Sequence, residues 1–207
     1  MTTSLHRLSC EDRRTQILDV ARKLFARKGF EGTTTREVAR EAGVNEALIF
    51  RHFPSKQELY WAVVESTCDL EEKRRYVQDL LDKGGSPREV FCSIAERILT
   101  TQEADMTMMR LMFYTAMEDH ELSERFFVNF MERQLLTLTK YVDSLVEQGV
   151  VRPVDTMVAV RSFFGMVIYH SMVQNLFAAG KARRYSAHEA SQKITDLWLH
   201  GIAQPES

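Results

Sequence analysis

The chain has 207 residues, 44% of them hydrophobic, which is enough to bury a good core, and its formal net charge is −2. Residues 1–11 lack an apolar stretch of signal-peptide length, and the most apolar run, 162–173, is too short to span a bilayer, so export and membrane insertion are not expected. The cysteines, Cys10, Cys68 and Cys92, are widely spaced and form no C-x-x-C pair, which argues against a zinc site and predicts reduced cytoplasmic thiols, buried or incidental unless one senses redox state.

A helix start lies at residue 34. Thr34 is placed to cap the amino end of a helix, because Glu37 three residues later completes a capping box. Val38, Ala39 and Ala42 follow at helical spacing and predict the face that this helix turns toward a core. The pattern therefore predicts a short helix that ends just before residue 43.

A tight turn and a second short helix follow. Gly43 can adopt the left-handed backbone conformation that reverses the chain, and Asn45 can cap the next helix. Ile49 and Phe53 lie four residues apart on its apolar face, and Ser55 then starts a third helix. Two short helices joined by such a turn are a helix-turn-helix, whose second helix fits the major groove of DNA.

Residues 9–64 resemble the TetR family of bacterial transcriptional regulators. The resemblance rests on linked motifs in the right order, namely ILDVARKLF at 17–25, KGF at 28–30, two threonines at 33–34, VAREAGV at 38–44, IFRHF at 49–53 and SKQEL at 55–59. It implies an all-α fold of about nine helices, with an N-terminal three-helix helix-turn-helix DNA-binding domain that we place at residues 1–56. A larger helical ligand-binding and dimerisation domain would occupy residues 57–207.

Three positions depart from the family pattern. Family members usually have Gly where this chain has Ala47, Thr where it has Leu48, and Tyr where it has Phe50. Two hydroxyl groups that could bond phosphates are therefore missing. Leu48 and Phe50 could instead contact a thymine methyl group or a sugar, or Leu48 could pack inward.

The predicted DNA interface lies around the helix-turn-helix. It comprises two candidate base-reading arginines, a glutamate that could accept from a cytosine amino group, three side chains that would hold phosphates, and three small or apolar side chains: Arg36 and Arg51; Glu46; Thr34, His52 and Lys56; and Ala47, Leu48 and Phe50. Residues 1–56 carry 11 Lys and Arg against 7 Asp and Glu, and the rest carry 16 against 22. The attraction to phosphate would therefore come from residues 1–56, which we call the head. Each single charge is also compatible with an ordinary solvated helix face.

The rest of the chain reads as helices separated by short polar breaks. The predicted helices cover residues 55–81, 86–101, 106–117, 122–148, 155–179 and 186–201. The first of these is the mechanical link between the head and residues 57–207, which we call the body.

The last two helices suggest self-association. Apolar side chains surround the axis of helix 155–179, so two buried faces are implied, one of which could pack on a second copy. The predicted dimer interface contains Ala159, Ser162, Gly165, Ile194, Leu197 and Trp198. The alternative is that all of these residues belong to the core of one monomer.

Met and Phe residues are concentrated in the body and suggest an effector pocket, as the family resemblance also implies. The predicted ligand-binding residues are Met109, Met112, Phe113, Phe127, Met131, Phe163, Met166 and His170. Such a pocket would suit a hydrophobic or aromatic effector, with a polar handle from a residue such as His170. The alternative is that the Met and Phe side chains are plain core.

The predicted function is a ligand-responsive transcriptional regulator, with repression as the family default. Its predicted partners are double-stranded DNA with an inverted-repeat operator, a small-molecule effector and a second copy of the chain, with no membrane and no cofactor. The alternative is a ligand-binding or partner-binding helical protein with a weakened DNA-binding head. No catalytic motif is present, and Glu118, Asp119 and Glu121 are interpreted as solvated acids, so an enzyme is not expected.

Overall fold

The computed structural model describes residues 9–67, 70–118, 120–177 and 184–203. These residues form eleven α-helices: α1 Cys10–Lys28, α2 Thr35–Glu41, α3 Glu46–His52, α4 Lys56–Thr67, α5 Leu70–Asp82, α6 Pro87–Ala104, α7 Thr107–Glu118, α8 His120–Phe126, α9 Arg133–Glu147, α10 Thr156–Ser171 and α11 Ala187–Ile202. Two π-helical segments, Phe127–Glu132 and Met172–Leu176, continue α8 and α10. The predicted all-α fold is confirmed.

The described residues contain two more α-helices than the nine predicted. The predicted helix 122–148 is α8 and α9, separated by the π-helical segment Phe127–Glu132, whose wider turns interrupt the regular α-helical hydrogen bonds. The predicted helix 55–81 corresponds to α4 and α5, and the two residues between them, Cys68 and Asp69, lie outside the described residues.

The predicted caps of the helix-turn-helix are confirmed. Thr34 Oγ1 accepts a hydrogen bond from Glu37 N at 3.1 Å, and Asn45 Oδ1 accepts one from Leu48 N at 2.8 Å. The Glu37 carboxylate does not return to the Thr34 backbone as a full capping box requires, but pairs with Lys28. That hydrogen bond from Lys28 lowers the pKa of Glu37.

The chain folds into two compact units. The first contains α1 to α4 together with α7 and α8, and the second contains α5, α6, α9, α10, α11 and both π-helical segments. The compact units therefore do not divide at residue 56, because α4, α7 and α8 belong to the same unit as the head. The proposed division of labour between residues 1–56 and 57–207 stays a prediction.

Aromatic rings form the centre of the first unit. The ring of Tyr60 on α4 meets those of Phe25 and Phe30 edge-on, with centroid distances of 4.8 and 5.3 Å. Its hydroxyl group donates to Leu111 O at 2.9 Å and lies 2.7 Å from Thr115 Oγ1, both on α7. Tyr60 thus joins α1, α4 and α7 through packing and through satisfied buried hydrogen bonds.

The buried Tyr60 hydroxyl predicts a loss of stability at high pH. Burial raises its pKa from 10.0 to about 12, so the unfolded chain loses this proton first. The contribution is fully present below pH 10 and is lost as the pH rises toward about 12, by about 2 to 3 kcal/mol. Urea unfolding of the wild type and Tyr60→Phe between pH 8 and 12 measures this. A parallel decline of both proteins would contradict the assignment.

The core of the second unit lies between α6, α9, α10 and α11. Phe91 on α6 packs against Phe163 and Trp198, with ring centroids 4.9 and 4.4 Å away. The Trp198 indole N–H donates to the Ala159 carbonyl at 2.8 Å, so the polar atom of the buried ring is satisfied.

Residues Thr156–Leu176, which comprise α10 and its π-helical extension, are long and apolar enough by length and composition to cross a membrane. This segment is longer than the run 162–173, which we judged too short to span a bilayer. Core helices of soluble proteins can meet the same criterion, and Val160, Phe163 and Val167 of this helix are fully buried in the second unit.

Candidate nucleic-acid interface

The second helix of the helix-turn-helix exposes one ridge. Ile49 and the following Phe53 are buried, whereas Ala47, Phe50 and Arg51 are exposed, at the i, i+3 and i+4 spacing that places side chains on one helix face. We call these three residues the α3 ridge. An exposed ridge on a capped seven-residue helix is the surface that this motif inserts into a major groove.

The turn before α3 is held by backbone hydrogen bonds. Gly43 has φ of 63° and so adopts the left-handed conformation that the sequence predicted. Val44 N donates to Ala39 O at 2.9 Å. The Gln16 side-chain amide donates to Ala42 O at 3.0 Å and connects α1 to the end of α2. These contacts fix the direction in which α3 leaves the turn.

The three side chains predicted to contact bases, Arg36, Glu46 and Arg51, differ in how firmly other side chains hold them. The Glu46 carboxylate accepts a hydrogen bond from the Thr35 hydroxyl group and lies 4.0 Å from Arg36 Nε. The Arg36 side chain is 89% exposed, so this ion pair contributes little and does not hold the arginine in place. Arg51 is exposed and makes no ion pair or hydrogen bond with the residues that the structure describes. Both arginines can therefore reorient toward DNA.

The three residues predicted to hold phosphates differ in their exposure and in the contacts that they already make. Thr34 is exposed, but its hydroxyl oxygen already caps α2. His52 is half-buried beside Phe53. The Lys56 ammonium group lies 4.1 Å from the centroid of the Phe30 ring, in a cation–π contact. Their contacts with phosphate stay predictions.

Replacing Lys56 with alanine is expected to weaken binding to all DNA sequences alike and to reduce the salt slope by about one, since one positive charge is lost. Binding measured across salt concentrations, for operator and random-sequence DNA, tests this. Lys140→Ala, an exposed lysine on α9, is the matched control. A loss confined to operator DNA would make Lys56 a base-reading residue instead.

Leu48 and Phe50, the two apolar residues of α3 that depart from the family pattern, lie on different faces of the helix. Phe50 is 44% exposed and belongs to the α3 ridge, whereas Leu48 is half-buried. The position of Phe50 suits an apolar contact with DNA, and that of Leu48 suits partial inward packing.

Sequence reasoning missed one residue of the first unit. Glu118, at the end of α7, accepts hydrogen bonds through Oε2 from Phe30 N at 2.7 Å and Glu31 N at 3.0 Å. It is therefore not the solvated acid that we predicted. Asp119 lies outside the described residues, and Glu121 is exposed as expected. No local signal could have identified Glu118, because 88 residues separate it from Phe30.

The predicted effector-binding residues are divided between the two units. Met109, Met112 and Phe113 lie in the first unit, and Phe127, Met131, Phe163, Met166 and His170 lie in the second. Phe163 is fully buried among aromatic rings, which favours the alternative that it is plain core. Met109 is also buried, at 3% exposure.

A cavity in the second unit differs from the apolar pocket predicted. It has a volume of about 320 Å³ and is lined by Tyr76, Ser93, Glu96, Arg97, Thr100 and Thr101. None of these residues was predicted to bind ligand. Arg97 stacks over Tyr76 at 4.2 Å and pairs with Glu72 at 2.6 Å, and Glu96 also lines the cavity, so its wall carries charges of both signs.

Three polar side chains of the second unit have buried atoms that lack partners among the described residues. These atoms are Gln102 Oε1 on α6, His170 Nε2 on α10 and Thr195 Oγ1 on α11. Burial lowers the pKa of His170, against the opposing charge of Glu103. An unpaired buried polar atom is costly, so His170 remains a candidate polar contact for a ligand, as predicted.

The predicted dimer residues separate into two groups. Ala159, Ile194 and Trp198 are buried in the second unit of the same chain, which corrects their assignment to an interface with another copy. Ser162, Gly165 and Leu197 are exposed. For the residues of α10 the cause is that apolar side chains surround this helix, so spacing alone could not tell which of its faces packs inward.

A helical chain whose capped helix-turn-helix exposes a ridge with an arginine belongs to the class of helix-turn-helix DNA-binding proteins. The family model described as "Bacterial regulatory proteins, tetR family" matches residues 17–63. The model described as "AefR-like transcriptional repressor, C-terminal domain" matches residues 91–197. The chain belongs to the TetR family of bacterial transcriptional regulators, which is a family of regulators and not of enzymes.

Individual proteins agree with this assignment. The uncharacterised HTH-type transcriptional regulator YfiR of Bacillus subtilis is 30% identical over 165 residues, covering 74% of this chain and 75% of that protein. PfmR from Thermus thermophilus has a TM-score of 0.68 at 24% identity, with 89% of this chain and 97% of that chain covered. FadR from Bacillus subtilis, in complex with stearoyl-CoA, has a TM-score of 0.70 at 16% identity, with 91% and 98% covered. The two structural likenesses concern the fold alone.

Proposed function

We propose that this protein is a dimeric repressor that binds an inverted-repeat operator and is released by a small, mainly hydrophobic effector. The observation that carries the proposal is the α3 ridge, which presents the exposed Arg51 beside Phe50 on a helix capped at its amino end. The repressor named in the matching C-terminal family model supports repression as the direction of control.

The proposed dimer would use the outer faces of α10 and α11. Tyr169 is 65% exposed and Leu197 is 68% exposed, and Val158 is also exposed. At Gly165 an added side chain would meet nothing within 4 Å, so a second helix could approach closely there. Large apolar side chains beside small residues on an open helix face suit a two-fold helix contact.

Leu197→Glu is expected to convert the dimer to monomer and to weaken operator binding, because it buries a charge in the proposed contact. Sedimentation velocity at several protein concentrations measures the assembly. Val150→Glu, at another exposed apolar position, is the control. A variant that remains dimeric would place the interface elsewhere.

The effector would act through the chain connections between the two units. The chain crosses from one unit to the other after residues 69, 106 and 126, so α4 and α7 are each followed or preceded by a helix of the second unit. An effector that binds one arrangement more tightly would shift the spacing of the two α3 ridges and spoil their match to successive major grooves. The bound stearoyl-CoA in FadR supports a hydrophobic effector class, with His170 as a polar contact.

The alternative is a helical ligand-binding or partner-binding protein with a weakened DNA-binding head. One observation favours it: the α3 ridge carries Phe50 in place of the family's hydroxyl-bearing tyrosine. The exposed arginines Arg36 and Arg51 favour the repressor.

A mobility-shift assay of purified protein with genomic fragments, in excess nonspecific competitor DNA, tests the proposal. The repressor is expected to retain a small set of fragments. Equal binding to every fragment, or none, would favour the alternative. Retained fragments that lie inside genes and do not affect transcription of a reporter would overturn the repressor role.

A further inference from the structure

One carboxylate holds the turn between α1 and α2. Glu118 Oε2 accepts hydrogen bonds from the backbone N–H groups of Phe30 and Glu31. In the same turn, the buried Thr33 hydroxyl group donates to Gly29 O at 2.9 Å. Hydrogen bonds from N–H groups to a charged acceptor are about twice as strong as those between neutral groups, so this turn is anchored to the end of α7.

The turn is shaped to admit this carboxylate. Gly29 has φ of 76°, and a Cβ atom added there would overlap the Glu118 carboxylate and lie 2.8 Å from Tyr114 Cδ1. Glycine therefore serves two purposes, because it adopts the left-handed backbone region and leaves room for the side chains of α7.

A second set of contacts joins the same helices. Tyr60 of α4 bonds to Leu111 and Thr115 of α7, and its ring packs against Phe30 in the anchored turn. The Phe30 ring also contacts the Lys56 ammonium group. The turn that leads into α2, and the start of α4 that follows α3, are thus both connected to α7.

We propose that Glu118 is a positioning residue for DNA binding: its carboxylate fixes the α1–α2 turn on α7, and with it the orientation of the α3 ridge. The inference rests on the proposed DNA-binding function. Because α7 begins three residues after α6 ends, and α6 is a core helix of the second unit, the anchor also connects the head to a helix whose chain leads directly into that unit.

The test compares operator DNA with the same DNA whose half-sites are moved apart by one base pair. The wild type is expected to discriminate between them. Glu118→Ala is expected to lose about tenfold in affinity for the correctly spaced operator and little for the altered one, because the freed head tolerates both. Glu118→Gln keeps an acceptor oxygen without the charge, so its spacing discrimination is expected to lie between those of the wild type and Glu118→Ala. Glu121→Gln, an exposed neighbour on α8, is the control.

Hydrogen exchange gives a second readout that does not involve DNA. The amides of Phe30 and Glu31 are expected to exchange faster in Glu118→Ala and Glu118→Gln, while amides in the core of α1 keep their protection. Loss of protection throughout the first unit would indicate a merely structural role and would overturn the proposal.

The outcomes separate the two proposals. If the wild type prefers no DNA fragment, the proposed function fails and this inference fails with it. If the wild type discriminates spacing and both Glu118 variants discriminate equally well, only the positioning role is overturned. Faster exchange at the two amides together with lost spacing discrimination supports it.

Discussion

Replacing Arg51 with alanine is expected to lower operator affinity by about 1 to 3 kcal/mol for each half-site and to relax the preference at one base position. The side chain lies on the α3 ridge, is exposed, and has no partner among the described residues that would hold it away from DNA. A dimer loses the contact twice, so the total loss is about 2 to 6 kcal/mol when the two half-sites are independent.

Competition binding with operators that vary at each position measures both effects. Arg133→Ala, an exposed arginine at the start of α9, is the matched control and should change neither affinity nor base preference. A uniform loss for all sequences would assign Arg51 to phosphate, and the base-reading role would pass to another residue such as Arg36.

Replacing Phe163 with alanine is expected to destabilise the protein by about 3 to 5 kcal/mol. The ring is fully buried, and its centroid lies 4.9 Å from that of Phe91 and 5.2 Å from that of Trp198. Removing it would leave a cavity that three packed helices cannot close. The free energy of unfolding in urea, at one protein concentration because dimers depend on concentration, measures the loss.

Phe127→Ala is the matched control for this substitution. Phe127 is 37% exposed in the π-helical segment after α8, so a much smaller loss is expected. Near-wild-type stability of Phe163→Ala, combined with altered effector response, would restore the original interpretation of Phe163 as a pocket residue.

The parts of the fold that depend on neighbouring residues could be predicted from the sequence. The caps at Thr34 and Asn45 and the reversal at Gly43 each depend on two to four consecutive residues, and all three are present. The exposed position of Arg51 follows from the spacing of Ile49 and Phe53 on the opposite face. The local structure of the helix-turn-helix could therefore be predicted from short stretches of sequence.

Features that depend on distant residues could not be predicted. The Glu118 anchor joins residues 88 apart, and Trp198 bonds to a carbonyl 39 residues away. On α10, apolar side chains surround the axis, so the sequence could not tell that Phe163 and Ala159 face the core while Gly165 and Tyr169 face outward. Which side of such a helix becomes buried depends on which other helix packs against it, and the periodicity of a single sequence does not contain that information.

The central claim is that paired α3 ridges bind two successive major grooves. Selection of bound genomic fragments by the wild-type protein, followed by sequencing, tests it most directly. The predicted result is a shared inverted repeat whose half-sites are about one helical turn, or somewhat more, apart, and which Arg51→Ala recovers in relaxed form. Recovery of fragments with no common sequence, or of a single asymmetric site, would contradict the claim.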